Sequence, residues 1–89
     1  DELLSKLYDA GAVGDICGHF YNKNGKICLP ELDKRTIAIE LSNLGQKRAS
    51  IAIAGLSRKA QAIKGMLSGK FCNVLITDDR TTKVLLEKL

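Results

Sequence analysis

The run Ala49-Ser50-Ile51-Ala52-Ile53-Ala54, then Gly55, then Leu56-Ser57-Arg58-Lys59-Ala60, restricts this chain more than any other segment. An unbroken stretch of small and aliphatic residues suits a strand covered on both faces, not an alternating surface strand. Gly55 provides a tight turn, and Ser57 can N-cap a helix that starts there. Ala60, Ile63 and Leu67, with Met66 beside them, form an apolar stripe at helical spacing, and Gly69 is placed to follow its last turn. Phe71 to Ile76 reads as a second buried strand. Asp78 can cap a last helix in which Thr81, Val84, Leu85 and Leu89 face inward. Residues 49–89 thus read strand–helix–strand–helix, a right-handed βαβ unit with parallel strands. The predicted fold class is α/β, with a Rossmann-like parallel βαβ unit.

The first half predicts an added β-hairpin over residues 11–30. Leu3, Leu4 and Leu7 suggest a short amphipathic helix from Asp1 to Asp9, stopped by Gly11. Gly11 to Asp15 reads as a glycine-bracketed turn, Ile16 to Tyr21 as a strand, and Lys26 to Leu29 as its partner. Asn22-Lys23-Asn24-Gly25 between them is hairpin chemistry, because Asn and Gly tolerate positive φ. Pro30 ends the hairpin or confines it to an edge. Thr36 to Ile39 reads as another short strand, and Leu41 to Leu44 as one helical turn closed by Gly45. Two parallel strands and a hairpin cannot cover a parallel sheet on both faces. The chain is therefore expected to be a piece of a larger domain or to lean on a partner.

Composition removes several function classes. No apolar run approaches the roughly 20 residues that cross a bilayer, and the charged start Asp1-Glu2-Leu3-Leu4-Ser5-Lys6 is no secretory leader. A cytoplasmic location without membrane contact is expected. The three cysteines, Cys17, Cys28 and Cys72, are odd in number and show no CxxC spacing, which argues against zinc or a disulfide framework. They read as small buried hydrophobes, and a Cys17–Cys28 bridge would need oxidising conditions. The net charge of +4 is spread along the chain, without the basic–aromatic interleaving that stacks single strands. No HExxH, GxSxG, Walker or GxGxxG pattern is present, so neither a reaction nor a cofactor is predicted.

A few residues remain as carriers of chemistry. Arg58 and Lys59 would sit in a first helical turn, where cations cost a few tenths of a kcal/mol unless an anion compensates them. They are either a solvated face or part of a site for a phosphorylated or otherwise anionic small molecule. Asp15 either caps its turn or accepts hydrogen bonds from the vicinal hydroxyls of a sugar. With a raised pKa it could instead be a general base. Asp78 reads as a plain N-cap, with Thr77 or Asp79 at the rim of a ligand site as the alternative. His19 has no nucleophile clearly oriented towards it, and a Cys–His pair with Cys17 would lack an orienting third group.

These motifs together resemble a known family. Gly11-Ala12-Val13-Gly14-Asp15-Ile16, then Gly18, Phe20 and Gly25, is similar to the sugar-binding domain of SorC-type bacterial transcriptional regulators. The similarity continues through Ile51-Ala52-Ile53-Ala54-Gly55, Lys59-Ala60, Ala62-Ile63 and Val74-Leu75-Ile76-Thr77-Asp78, in family order over nearly the whole chain. The resemblance implies an effector domain akin to sugar-phosphate isomerases of the ribose-5-phosphate isomerase type. It implies that a phosphorylated sugar or related metabolite changes DNA binding by an attached helix-turn-helix domain, in a homo-oligomer. Residues 1–89 would be the C-terminal segment of that single domain, without the DNA-reading part and without an earlier loop of the phosphate pocket. DNA would be a partner only through the missing domain. The implied effector-binding residues are Gly14, Asp15, Ile16, Cys17, Gly55 and Lys59. Asp15 would contact effector hydroxyls, Lys59 would reach its phosphate, and Gly14 and Gly55 would shape the two loops. Where the family commonly has a second glycine, after Gly55, this chain has Leu56. The enzyme alternative is a sugar-phosphate isomerase with Asp15 as base, and a second acid or base in reach is what it lacks.

Overall fold

The computed structural model describes residues 2–88. Helix α1 (Glu2–Asp9) buries Leu7 and leaves Leu4 and Tyr8 exposed. Gly11, at φ +81°, ends it and turns the chain into strand β1 (Ala12–Ile16). Asp1 lies outside the described residues.

Strand β1 pairs antiparallel with β2 (His19–Asn22), placing Gly14 opposite Tyr21, Asp15 opposite Phe20 and Ile16 opposite His19. Cys17 and Gly18 connect them with φ of +53° and +84°, the positive pair that a two-residue type I′ hairpin requires. This corrects the expected register. Gly11 to Asp15 is largely strand, and Ile16 to Tyr21 is broken by the hairpin turn. Gly14 resembles turn chemistry in sequence but is there to let β1 approach a helix closely. The Asn22–Gly25 turn exists, with Gly25 at φ +79° and Asn22 Oδ1 accepting from the Asn24 and Lys26 amides. The strand expected after it shrinks to one bridge, Tyr21 to Ile27.

Pro30 opens a short helix, α2 (Pro30–Lys34), at a position where its missing N–H costs nothing. The expected Thr36–Ile39 strand does not form: Ile37 and Ile39 are exposed, and no strand pairs with this segment among the described residues. Aliphatic residues in alternation cannot make a strand without an edge to pair with. Helix α3 (Leu41–Gly45) follows, as expected, with Leu41 buried.

Strand β3 (Ile51–Ile53) pairs parallel with β4 (Val74–Ile76), in the register Ile51 to Val74, Ala52 to Leu75 and Ile53 to Ile76. The parallel strand–helix–strand order therefore stands, with shorter strands and two separate two-stranded sheets. A single 3₁₀ turn (Ser57–Lys59) leads into helix α4 (Ala60–Ser68), and Ser57 makes no side-chain cap. Ala60, Ile63 and Met66 face inward, whereas Leu67 is exposed. Gly69 stays right-handed at φ −78°, and Lys70 takes the left-handed position at φ +59°. Helix α5 (Asp79–Lys88) buries Thr81 and Leu85 and half-buries Val84, while Leu89 lies outside the described residues. Ala52 and Leu75 pack on the core, but Ile51, Ile53, Val74 and Ile76, on the other face of the parallel pair, are open to solvent.

The core consists of Tyr21, Ala60, Ile63, Met66 and Leu85, with Val13, Ile16, Phe71 and Leu75 against it. The three cysteines are free thiols, and the expectation that all are buried holds for Cys28 alone. Cys72 is half-buried, and Cys17 is exposed because the hairpin turn carries it outward. Tyr21 lies across α4 and its hydroxyl donates to the Ala62 carbonyl at 2.7 Å. Two glycines make room. A Cβ on Gly14 would meet Ala62 Cβ and the Tyr21 hydroxyl at 2.9 Å, and one on Gly65 would meet the Asn22 carbonyl at 2.5 Å and the Tyr21 ring at 2.8 Å. In Gly65→Ala the helix gains about 1 kcal/mol of propensity. Overpacking against a backbone carbonyl costs about 2–3 kcal/mol, so a net loss of about 1–2 kcal/mol is expected. Urea denaturation should show a lower midpoint at constant slope, while Gln61→Ala, on the exposed side of the same helix, should move stability by less than about 0.5 kcal/mol.

Candidate functional site

The close seating of the hairpin on α4 leaves a cavity of about 360 Å³ between them. Strand β1 supplies Val13, Gly14, Asp15 and Ile16, and β2 supplies Tyr21. Ala54, just past β3, and Lys59, in the turn into α4, complete the rim. Ala62, Ile63 and Met66 form an apolar floor. Asp15 and Lys59, both exposed, line this same cavity, and Asp15 also lines a neighbouring hollow with Leu4, Tyr8 and Phe20 on the α1 side of the hairpin. Such a lining can accept bonds from hydroxyls at one place and neutralise an anion at another, with a carbon skeleton against the floor. Burial pushes the Tyr21 phenol up to about 12, with the negative charge of Asp15 adding to it, so this hydroxyl stays protonated and keeps its bond to Ala62.

Of the six residues singled out in the sequence, Gly14, Asp15, Ile16 and Lys59 line this cavity. Cys17 lies in the type I′ turn and lines a different hollow, together with Leu44, Ile51, Phe71 and Cys72. Gly55 stands behind the turn, where a Cβ would meet Asp78 Oδ2 at 2.8 Å.

The turn after β3 is already matched to an anion of the protein itself. The Leu56 amide donates to Asp78 Oδ2 at 2.9 Å, and the Thr81 amide donates to Asp78 Oδ1 at 2.7 Å. One carboxylate thus caps α5 and ties its start to the end of β3. These two backbone bonds hold the Asp78 carboxyl below its ordinary value. The capping role was legible in the sequence, but the bond to Leu56 was not, because it joins two strand ends far apart in the chain. Leu56 itself sits at φ +75° and ψ +122°, a conformation that favours glycine. Among the described residues, no group of three His, Cys, Asp or Glu side chains is placed to hold a metal.

Residues 1–87 match the family model described as "Putative sugar-binding domain". The chain is 47% identical over 89 residues to the deoxyribonucleoside regulator of Bacillus subtilis (strain 168), covering all of this chain and 28% of that protein. It is 39% identical over 75 residues to the sorbitol operon regulator of Klebsiella pneumoniae, covering 84% of this chain and 24% of that protein. The full-length structure of the Klebsiella pneumoniae regulator SorC superposes with a TM-score of 0.89 at 36% identity, over 97% of this chain and 28% of that one. A transcriptional regulator from Streptococcus pneumoniae TIGR4 superposes at 0.93 with 34% identity, over 99% of this chain and 34% of that one. The chain thus spans about a quarter of the length of these curated relatives.

The backbone at Leu56 makes a direct prediction. Relief of a disfavoured conformation is worth about 1–3 kcal/mol, and added glycine freedom in the unfolded chain costs about 0.5–1 kcal/mol. Leu56 is half exposed, so little packing is lost. Leu56→Gly is expected to stabilise the fold by about 1 kcal/mol in urea denaturation.

Proposed function

The chain belongs to the sugar-binding domain family of SorC/DeoR-type transcriptional regulators, and from that membership we propose that it forms one wall of an effector pocket for a phosphorylated sugar. The observation that carries the reading is the one cavity that Asp15 and Lys59 both line. Lys59 supplies the charge for a phosphate, and Asp15 accepts bonds from neighbouring sugar hydroxyls. Gly14 lets the backbone approach the ligand, and Ile16 meets its carbon skeleton. Gly55 and Cys17 act one step back, through the turn tied to Asp78 and through the hairpin turn. The names of the relatives point the same way: a deoxyribonucleoside regulator, a sorbitol operon regulator and an erythritol catabolism regulatory protein.

In this reading the effector shifts an equilibrium between arrangements of a homo-oligomer by binding one of them more tightly. A helix-turn-helix domain elsewhere in the longer polypeptide reads the DNA. The setting is the cytoplasm, where phosphorylated sugars are held. The parallel β3–α4–β4 unit is then a portion of a Rossmann-like sheet of the sugar-phosphate isomerase type, and the bare face of Ile51, Ile53, Val74 and Ile76 is where the rest of the domain packs. The relatives are named as regulators, and we assign no reaction to the site.

A panel of pentose and hexose phosphates tests this in the full-length regulator by thermal shift and calorimetry. A cognate ligand at a hundredfold excess over its Kd adds about 2.7 kcal/mol of stability. Lys59→Ala removes a charge-assisted bond of about 1.5–3 kcal/mol, so affinity should fall roughly tenfold to a hundredfold. Asp15→Asn should weaken binding and blur discrimination between sugars that differ at a hydroxyl. Unchanged affinity in Lys59→Ala would overturn the reading.

A further inference from the structure

One buried titratable group stands apart from the effector cavity. His19, the single histidine of the chain, is 6% exposed on β2. Its Nδ1 lies 2.6 Å from Asp33 Oδ1 of α2, and its Nε2 lies 2.6 Å from the Ile39 carbonyl oxygen. A carbonyl oxygen only accepts, so Nε2 must carry a proton. An ionised carboxylate also only accepts, so Nδ1 must carry one too. A neutral ring can satisfy one of these contacts and sets a lone pair against an oxygen at the other. The geometry therefore fits the imidazolium.

The two bonds join three pieces of chain. They hold β2, α2 and the irregular segment 36–40, whose Ile37 and Ala38 are exposed. Beneath that segment lies a cavity of about 440 Å³, lined by His19, Asp33, Thr36, Glu40, Leu41 and Ser42 among others. The charged groups facing His19 are Asp33 and Lys34 of α2 and Glu40 ahead of α3. Lys34 is itself 3.7 Å from Glu31, so the two acids dominate around the ring.

We infer that His19 is a proton-operated latch, which as an imidazolium clamps α2 and segment 36–40 onto the hairpin and on losing a proton frees the segment over the cavity. Its pKa is raised above 6.5, first by the hydrogen bond to Asp33 and against the opposing effect of burial. A raised folded value means that the clamp is fully in place below the unfolded value and is lost as pH rises through the folded one. The latch is independent of the effector reading, since neither Asp15 nor Lys59 takes part in it.

Nitrogen-detected NMR of the imidazole, from about pH 5 to about pH 9, reads the latch directly, because this chain has one histidine. The expected result is a midpoint above 6.5, with both nitrogens protonated below it. Amide exchange at Arg35, Thr36 and Asn43, whose amides donate to the Leu32, Asp33 and Glu40 carbonyls at the two ends of the clamped segment, corrected for the intrinsic rate, should lose protection across the same midpoint. The loss should be about tenfold for each pH unit by which the midpoint exceeds the unfolded value. Asp33→Asn keeps an acceptor but removes the charge, so the midpoint should fall and release should move to lower pH. His19→Gln should make protection flat with pH. If His19→Gln fails to fold, the wild-type and Asp33→Asn titrations still decide. A wild-type midpoint at or below 6.5, or protection that does not change across the midpoint, would overturn the latch.

Discussion

The seat of Tyr21 on α4 is the contact on which the rest of the molecule depends. Burying an aromatic ring removes about 150–250 Å² from water, which at about 25 cal/mol per Å² is worth roughly 4–6 kcal/mol. Its hydrogen bond to Ala62 adds about 1 kcal/mol net and, more importantly, leaves no unpaired hydroxyl on the buried ring. That contact requires Gly14 on one side and Gly65 on the other. Gly14 faces Tyr21 and α4, so the next residue, Asp15, opposite Phe20, turns to the other face of the hairpin and reaches the α4 cavity only at the strand's edge.

Asp78 supplies the second long-range tie. It joins the turn after β3 to the start of α5, and so fixes the carboxyl ends of both parallel strands with one side chain. The strained backbone of Leu56 lies in that tied turn. The bond from its amide to Asp78 helps to hold a conformation that leucine alone would leave.

The second half of the chain was readable because its signals are strong and local. A buried run, a helical stripe and an N-cap gave β3, α4, β4 and α5 in the right order. The exceptions were the caps and the facing: Ser57 makes no side-chain cap, Gly69 stays right-handed, Leu67 is exposed, and one face of the two strands is bare rather than covered. The first half was harder because glycine means different things there. Gly14 serves close packing inside a strand, while Cys17-Gly18 makes the turn, and only tertiary contacts separate the two uses. Thr36 to Ile39 alternates like a strand but has no edge to join. That Asp15 and Lys59 line one cavity was likewise invisible to local spacing. Cys17 and Gly55 adjoin cavity residues in sequence, yet the hairpin turn and the Asp78 tie carry them away from it. The two bonds of His19 join residues distant in sequence, and no local pattern announces them.

Exposure sets the strength of the candidate site. An ion pair or ligand contact made by groups in open water is worth about 0–1 kcal/mol. The same charges gain as water is excluded, because their interaction scales inversely with the local dielectric. Asp15 and Lys59 are both exposed here, at a cavity that has no cover on its open side. The parallel strands are in the same condition, with one apolar face packed and the other bare. On the effector reading, one addition answers both. Chain that packs on Ile51, Ile53, Val74 and Ile76 would complete the sheet, and its flank would narrow the mouth in which Asp15 and Lys59 stand. Affinity for an anionic sugar would then depend on the assembled domain far more than on the two side chains taken alone.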